Sequence, residues 1–372
     1  MINGERVKQA RELRGLTQAA LAKRIDVLQS TISKIESGQI QPTEQTLQGI
    51  IFQCGFPLAF FQQETTVDFP LGSLLYRARA SLTKVDREQA LQYARTVYEE
   101  FSFLARRIRK IPISLPRVSD DPQTAARLTR SALGLSPDSP IENLIRSIER
   151  AGVIVLGLPR PLKNVDAFST WVVRQEMAPV MLLSATTSGD RLRYSVAHEL
   201  GHLVMHHMIQ GEISRLETEA DEFAAELLMP AEAMRREFRR PITVPLLLRL
   251  KQRWKVSIQA LARRAHDLKI LSLGQYKYLM KQISKMGWRK SEPGPISIEK
   301  PRALRKMAEL VYGVPLDYRR LASAMNHPLA LVRETLEAHA GKSALIVDRA
   351  AATSTKVLNF QDFAKQRAAE LP

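Results

Sequence analysis

Apolar residues recur every three or four positions along most of the chain, a spacing typical of amphipathic helices. Glycine, proline and capping residues divide this pattern into predicted helices at residues 4–14, 18–25, 29–37, 42–53, 86–110, 121–133, 140–151, 245–254, 258–268, 273–286, 302–311, 316–325 and 328–340. Runs rich in Val, Ile and Leu predict strands at residues 153–156, 167–173 and 178–183. The pattern therefore predicts a mainly α fold with a small β-sheet, of the α+β class.

The most informative helical stretch is residues 194–207, where the apolar spacing is combined with two histidines. His198 and His202 are four residues apart, so on an α-helix both imidazoles can point at one ion. Glu199 comes one residue after the first histidine, where its carboxylate can take a proton from a metal-bound water. An amphipathic helix with internally bonded histidines would have the same spacing, so the residues downstream must decide.

A second helical pattern, over residues 217–230, offers the third ligand that such a metal site needs. Glu217 and Asp221 are four residues apart and share a face. We predict Glu217 as the third metal ligand and Asp221 as the acceptor that holds a ligand histidine in its tautomer. Glu219 lies about 200° around the helix from Glu217, so only one of these two can face the ion.

Two other ligand sets are less consistent with the sequence. Met205 and Met208 occupy the positions where a metzincin has glycine and histidine. His206 follows His198 by eight residues, about 12 Å along a helix, which is too far to share its ion. We interpret His206 and His207 as surface or cleft residues, with stabilisation of an oxyanion as the alternative.

Taken together, the segments HELGHLVMHH and ETEADEFAAELLMP resemble the ImmA/IrrE family of metallopeptidases over roughly residues 140–235. The resemblance implies a minimal gluzincin fold with Zn²⁺ held by two histidines and one glutamate, here His198, His202 and Glu217, and with Glu199 as the catalytic base. Members of that family cleave helix-turn-helix repressors. The resemblance therefore implies a protein substrate of that class.

The run RELRGLTQAALAKRIDVLQSTISKIESGQIQP resembles the helix-turn-helix domain of the XRE family, similar to lambdoid phage repressors, over about sixty residues. The helix from Gln29 would enter the major groove, and a contact from Gln18 to phosphate would fix its position. Base edges would be read by Gln29, Ser30, Thr31 and Lys34. We expect Glu36 to bond within the domain. Leu28 stands where the family usually has a small capping residue, which leaves the start of the third helix less well defined.

Charge strengthens the case for a nucleic-acid partner. The 372-residue chain has a net charge of +17 and a pI near 10.1. Residues 1–61 carry only +2, whereas residues 235–290 hold sixteen Lys or Arg against two acids, a net +14. This segment is either a second nucleic-acid contact or a basic set of scaffold helices.

The remaining composition indicates the compartment. No apolar run is long enough for a membrane span, and the first residues do not form a signal peptide. A single cysteine, Cys54, fits a reducing compartment. We expect a cytoplasmic protein with no membrane partner.

The predicted organisation has six segments: an XRE-type domain at 1–62, a linker and long helix at 63–120, the peptidase domain at 121–234, a basic helical region resembling a helix-turn-helix at 235–290, a C-terminal helical region at 291–342 and a tail at 343–372. The predicted function is a homodimeric transcriptional regulator that binds a double-stranded DNA operator and has a zinc-dependent endopeptidase domain. Three alternatives stay open: a non-catalytic zincin domain serving as sensor or scaffold, an antitoxin-like protein partner, and self-cleavage in the linker at 62–70.

Overall fold

The computed structural model describes residues 1–65, 83–109, 112–118, 121–159, 167–170, 179–184, 188–206 and 212–339. The chain divides into two compact units. The first unit comprises Met1–Ile111, Leu156–Val165 and Pro301–Pro372, and the second unit comprises Pro112–Val155 and Asp166–Lys300. His207, the predicted tail and most of the predicted self-cleavage segment lie outside the described residues. Because each unit combines several of the six predicted segments, that finer division stays a prediction.

The first unit begins with five helices: α1 Gly4–Leu13, α2 Gln18–Arg24, α3 Gln29–Glu36, α4 Glu44–Cys54 and α5 Leu58–Phe61. The side chains of Asn3, Thr17 and Thr43 accept backbone hydrogen bonds at the starts of α1, α2 and α4. Four of these helices confirm the predicted ones. The fifth was not predicted because four residues are too few to show a helical period.

The described part of the first unit contains four further helices: α6 Lys84–Ala105, α15 Ala303–Tyr312, α16 Tyr318–Met325 and α17 Leu329–Glu337. Tyr93 of α6 and Leu331 of α17 belong to the same hydrophobic core as the helices of the N-terminal domain. A buried ion pair of 2.9 Å joins Arg6 of α1 to Glu99 of α6. The apolar side of the long helix is therefore covered within the unit.

The second unit contains helices and a small sheet, with α7 Pro122–Ala132, α8 Leu144–Arg150, β1 Ile154–Leu158, β2 Ala167–Thr170, β3 Val180–Ser184, α9 Gly189–Met205, α10 Ile213–Leu228, α11 Ala231–Glu237, α12 Val244–Trp254, α13 Ile258–Asp267 and α14 Leu273–Lys285. The unit boundary falls within β1, so its last three residues, from Leu156, belong to the first unit. In the sheet, β3 lies between β1 and β2 and pairs antiparallel with β2. One hydrophobic core runs from Ala125 to Ile283. The mainly α fold with a small sheet is thus confirmed.

Buried charges fix the start of α9, the helix that carries the histidine pair. Lys251 of α12 lies 2.5 Å from Asp190 in the first turn of α9 and 2.8 Å from Glu292, and its side chain is only 1% exposed. Burial alone would raise the pKa of Asp190, but the hydrogen bond from Lys251 brings this pKa below its usual value. The ionised cluster thereby holds the helix start in place.

None of the helices in the described part of the chain combines the length and the apolar run that a bilayer crossing requires.

Candidate functional site

The predicted metal ligands lie where α9 and α10 pack side by side. Gly201 allows this close approach, because a Cβ atom at that position would come within 3.0 Å of the Phe223 ring. His198 and His202 project from α9 towards Glu217 of α10, and one ligand atom from each lies within 4.8 Å of the other two. The structure therefore brings together three residues that span twenty positions of sequence.

The spacing of these atoms suits zinc. The two Nε2 atoms of His198 and His202 are 3.1 Å apart, and they lie 3.3 and 3.4 Å from the two carboxylate oxygens of Glu217. A tetrahedral ion with bonds of about 2.0–2.1 Å needs its ligand atoms about 3.3 Å apart. Two imidazoles and one carboxylate also form a donor set that zinc accepts. The residues present fit the ion that the sequence predicts, and ligation itself stays a prediction.

Asp221 supports the first histidine, as expected from its position one turn after Glu217. Its Oδ1 lies 2.7 Å from Nδ1 of His198. A hydrogen on Nδ1 that donates to this carboxylate leaves the Nε2 lone pair free to face Glu217. The backbone oxygen of Asp221 also accepts a hydrogen bond from the Tyr194 hydroxyl at 3.2 Å. This contact ties α10 to α9 beside the site.

The second histidine, His202, is held by a series of three hydrogen-bonded residues, which the sequence did not predict. Nδ1 of His202 lies 2.9 Å from Nδ1 of His206, and Nε2 of His206 lies 3.0 Å from Glu219. Arg215 in turn donates to Glu219 at 2.7 Å. If Nε2 of His202 is kept for a metal, His202 must donate from Nδ1, so His206 accepts there and donates from Nε2 to Glu219.

This arrangement corrects the interpretation of His206 as a surface or cleft residue. Its side chain is 5% exposed, and both ring nitrogens have partners. Glu219 does face away from the three ligand atoms, as predicted, but it acts through His206. The hydrogen bond from Arg215 holds the pKa of Glu219 below its usual range, so this carboxylate is ready to accept. The signal was available: His202 and His206 are also four residues apart.

Glu199, the predicted base, follows His198 on α9 and is 4% exposed. Its role stays a prediction. A groove of about 1440 Å³ opens in the same unit, lined in part by Tyr194, Thr218 and Asp221 near the metal ligands. Its volume exceeds the ~300–1,000 Å³ that is usual for small-molecule pockets.

The predicted DNA-reading residues lie on α2 and α3 in the first unit. Gln29, Ser30 and Lys34 are exposed, whereas Thr31 is half-buried at the edge of the same face. The α3 helix begins at Gln29, the predicted residue, although Leu28 makes no side-chain capping bond. Leu28 is instead 73% exposed beside this face. The contacts of these residues with DNA stay predictions.

A chain of hydrogen bonds orients Gln29. Arg11 binds Glu36 at 2.5 and 3.0 Å in the interior of the domain, which agrees with the expectation for Glu36. Glu36 accepts from Gln18 Nε2 at 2.8 Å, and Gln18 Oε1 accepts from Gln29 Nε2 at 2.7 Å. The Gln29 amide therefore keeps its oxygen and one N–H for a partner outside the protein. Gln18, expected to touch phosphate, also sets this orientation.

Two family models match the chain. Residues 7–61 match a helix-turn-helix model, and residues 148–266 match the peptidase M78 model, described as an IrrE N-terminal-like domain. The chain thus carries an XRE-type helix-turn-helix domain and an IrrE-type, metallopeptidase-like domain, as the sequence predicted. The second match runs past residue 234, so α12 and most of α13 belong to the matched region.

Comparison with individual proteins adds little. The search of curated proteins finds no match. Among solved structures, the chain is similar to Bacillus thuringiensis PlcR in complex with the peptide PapR7 and DNA, with 15% identity over 90% of this chain and 95% of that chain. The TM-score is 0.16, so this likeness supports no conclusion about fold or function.

Proposed function

We propose that this chain, which joins a helix-turn-helix domain to an IrrE-type peptidase-like domain, is a DNA-binding transcriptional regulator with zinc-dependent endopeptidase activity. The observation that carries the enzymatic part is the close grouping of donor atoms: the Nε2 atoms of His198 and His202 are 3.1 Å apart, and each lies 3.3 or 3.4 Å from one carboxylate oxygen of Glu217. The proposal places the protein in the cytoplasm, as a homodimer on a double-stranded operator. Its substrate is a helix-turn-helix repressor.

The chemistry assigned to the second unit is hydrolysis of a peptide bond. Zn²⁺ held by these residues would supply a Lewis acid that polarises the scissile carbonyl and lowers the pKa of water. Glu199 accepts one proton from the attacking water while the water oxygen bonds to the carbonyl carbon. The same carboxyl then gives that proton to the leaving nitrogen as the carbon–nitrogen bond breaks. The low exposure of Glu199 supports this role, because burial keeps bulk water from competing for the proton.

A macromolecular substrate is supported by the groove beside the site. Its volume of about 1440 Å³ is large enough for a segment of extended polypeptide, and Asp221 lines it next to the ligand His198. A helix-turn-helix repressor would have to present such an extended segment, since a folded helix would not enter. The class of repressor comes from the family resemblance and is the finer part of the proposal.

For the first unit, the oriented amide of Gln29 supports base reading. With one N–H bonded to Gln18, the remaining N–H and the oxygen match the N7 acceptor and N6 donor of adenine. Lys34 and the exposed part of α3 would add contacts in the same groove.

The test compares ligand variants with a variant of the proposed base. We expect His198→Ala, His202→Ala and Glu217→Ala each to reduce bound zinc, measured by mass spectrometry of metal content, well below one ion per chain. Glu199→Gln should keep zinc and lose cleavage of a helix-turn-helix repressor, read from fragment masses. Glu232→Ala, which removes an exposed carboxylate of α11 that does not line the groove, is the control and should keep both.

Two outcomes would decide against this assignment. If Glu219→Ala strips the metal while Glu217→Ala retains it, the third ligand is wrong. If wild type and Glu199→Gln are equally inactive against every repressor offered, with zinc bound in both, the alternative of a non-catalytic sensor or scaffold is the better one.

A further inference from the structure

The basic residues of the second unit fall into two groups. Within residues 235–267, many are tied to carboxylates, including Arg236 to Asp138, Arg253 to Glu237, Lys255 to Glu142, Arg263 to Asp267, and Arg264 to Glu226. Residues 268–291 contain six Lys or Arg and no acid. This second group lies beyond residue 266, where the match to the IrrE-type domain ends. The six basic residues of this second group therefore lie outside the matched domain.

Three lysines of this group form a stripe along α14. Lys277, Lys281 and Lys285 are spaced by four residues, so successive side chains turn by only about 40° and rise by about 6 Å. All three are exposed, and within the described part of the chain none has a hydrogen-bond or ion-pair partner. Leu279 and Ile283 anchor the opposite face of the helix in the core. The lysine stripe is thus held in a fixed orientation towards solvent.

This stripe works against the stability of its own helix. Like charges at a spacing of four residues repel each other, and a glutamate at either position would be preferred for a merely solvated face. A polyanionic partner would relieve this repulsion.

We propose that the lysine stripe of α14 binds the phosphate backbone of nucleic acid without sequence preference. This contact would be made in addition to that of the helix-turn-helix domain. Duplex DNA carries one charge per ~1.7 Å of axis, so a rigid row of cations can meet several phosphates at once. Tyr278, 63% exposed next to the stripe, adds a hydroxyl that can donate to phosphate. Because the helix-turn-helix domain is on the same chain, DNA held by one site is offered to the other at high local concentration.

The test measures how salt weakens binding of the full-length protein to a short duplex of arbitrary sequence. Each neutralised phosphate contributes about 0.9 to the slope of log affinity against log salt concentration. For K277Q/K281Q/K285Q, we expect this slope to fall by up to ~2.7 between about 50 and 200 mM salt. Glutamine keeps a high helix propensity, and circular dichroism should show the same helix content as wild type.

A control with the same loss of charge separates a site from a general charge effect. R236Q/R253Q/R263Q also removes three positive charges from the second unit, but each of these arginines already has a carboxylate partner. We expect the control to change the slope by less than one. Equal slopes for both variants, or a stripe variant that behaves as wild type, would overturn the proposal. So would a stripe variant that keeps its DNA slope but loses binding to phosphatidylcholine vesicles containing phosphatidylserine, because the partner would then be a membrane surface.

Discussion

In each unit, a series of hydrogen-bonded side chains ends at a residue with a predicted function, but the two series begin in different surroundings. In the first unit, the series Arg11–Glu36–Gln18–Gln29 starts in the interior and ends at an exposed amide. In the second unit, the series Arg215–Glu219–His206–His202 starts at an arginine that is 76% exposed and ends at a half-buried histidine, the predicted metal ligand. The orientation of the predicted base-reading residue therefore depends on the core, whereas that of the predicted metal ligand depends on a surface arginine.

The difference follows from what each site must bind. A base edge is reached by a side chain that leaves the protein, so its orientation must come from behind. A metal is enclosed by several ligands, and His198, the other histidine of the proposed site, already has a direct hydrogen-bond partner in Asp221. On this proposal, removing the anchor should destabilise the first unit but only weaken metal binding in the second.

The largest effect is expected from Glu36→Gln. Arg11 and Glu36 have side chains only 5% and 4% exposed, so losing the carboxylate removes both charge-assisted hydrogen bonds of this buried pair and leaves Arg11, as its only ion pair, the 3.2 Å contact with Glu12. Breaking such a buried pair costs about 3–5 kcal/mol. Chemical denaturation followed by hydrogen exchange of residues 4–61 should show this loss, together with reduced affinity for every DNA sequence. Glu219→Gln is the matched change in the hydrogen-bonded series of the second unit. It should leave the free energy of unfolding within about 0.5 kcal/mol of the wild-type value. A Glu36→Gln protein as stable as wild type would contradict the comparison.

A second consequence of polar groups in the core of the first unit is sensitivity to acid. Burial lowers the pKa of His339 to about 4, and its Nε2 accepts from the Gly157 amide at 2.8 Å while Nδ1 donates to Thr335. The unfolded imidazole binds a proton at about pH 6.5. Between pH 6.5 and 4 the unfolded state therefore binds more protons than the folded state. As the pH decreases through this range, the free energy of unfolding falls by up to roughly 3 kcal/mol.

His339→Gln isolates the contribution of this imidazole to the pH dependence, because the glutamine amide can make both hydrogen bonds but does not titrate. The difference in hydrogen-exchange stability of α15–α17 between the two proteins should shrink on going from pH 6.5 to 4. The raised pKa of the buried Glu100, caused mainly by burial, acts in both proteins and cancels in the difference. A difference that stays constant over this pH window would rule out a neutral, buried His339.

The two supports of the metal site should differ in degree. Residues that orient a metal ligand typically contribute 10–100-fold to metal affinity. Asp221→Ala removes a direct partner of His198, and we expect a loss at the upper end of this range. Glu219→Ala acts on His202 only through His206, so its loss should lie at the lower end. Competition with a chelator measures both, and His206→Ala should match Glu219→Ala. A larger loss for Glu219→Ala than for Asp221→Ala would reverse the order of the two supports.

How much of this was predictable depends on whether a feature is local. The helices and the grouping of His198 with His202 follow from spacing along one element, and Glu217 follows from spacing along the next. The link from His206 to Glu219 joins two helices, so it depends on how α9 and α10 pack at Gly201, which spacing does not give. The packing of α17 with α6 was equally out of reach, because the hydrogen bond between Tyr93 and Glu334 spans 241 positions of sequence.

The smallest expected effect concerns Leu28, which precedes α3, the helix that begins with Gln29. A residue that precedes a helix and lacks a capping oxygen forgoes about 1 kcal/mol, and Leu28 also exposes 73% of an apolar side chain to solvent. In the proposed DNA complex Gln29 reads adenine, and the apolar Leu28 beside it would contact a thymine methyl at an adjacent position. On this proposal, the missing cap is a consequence of base reading.

Leu28→Ser separates these two terms, because serine restores a cap and removes the apolar contact. We expect the first unit to become more stable by about 1 kcal/mol, measured by denaturation. At the same time, operators with thymine at the contacted position should lose their advantage over operators with uracil, which lacks only the methyl group. Gln18→Ala, which frees Gln29 without touching Leu28, should leave this methyl preference intact and weaken the preference for adenine instead. If Leu28→Ser gains stability but keeps the full preference for thymine, the exposed leucine has no part in reading DNA, and the weak cap has no functional explanation.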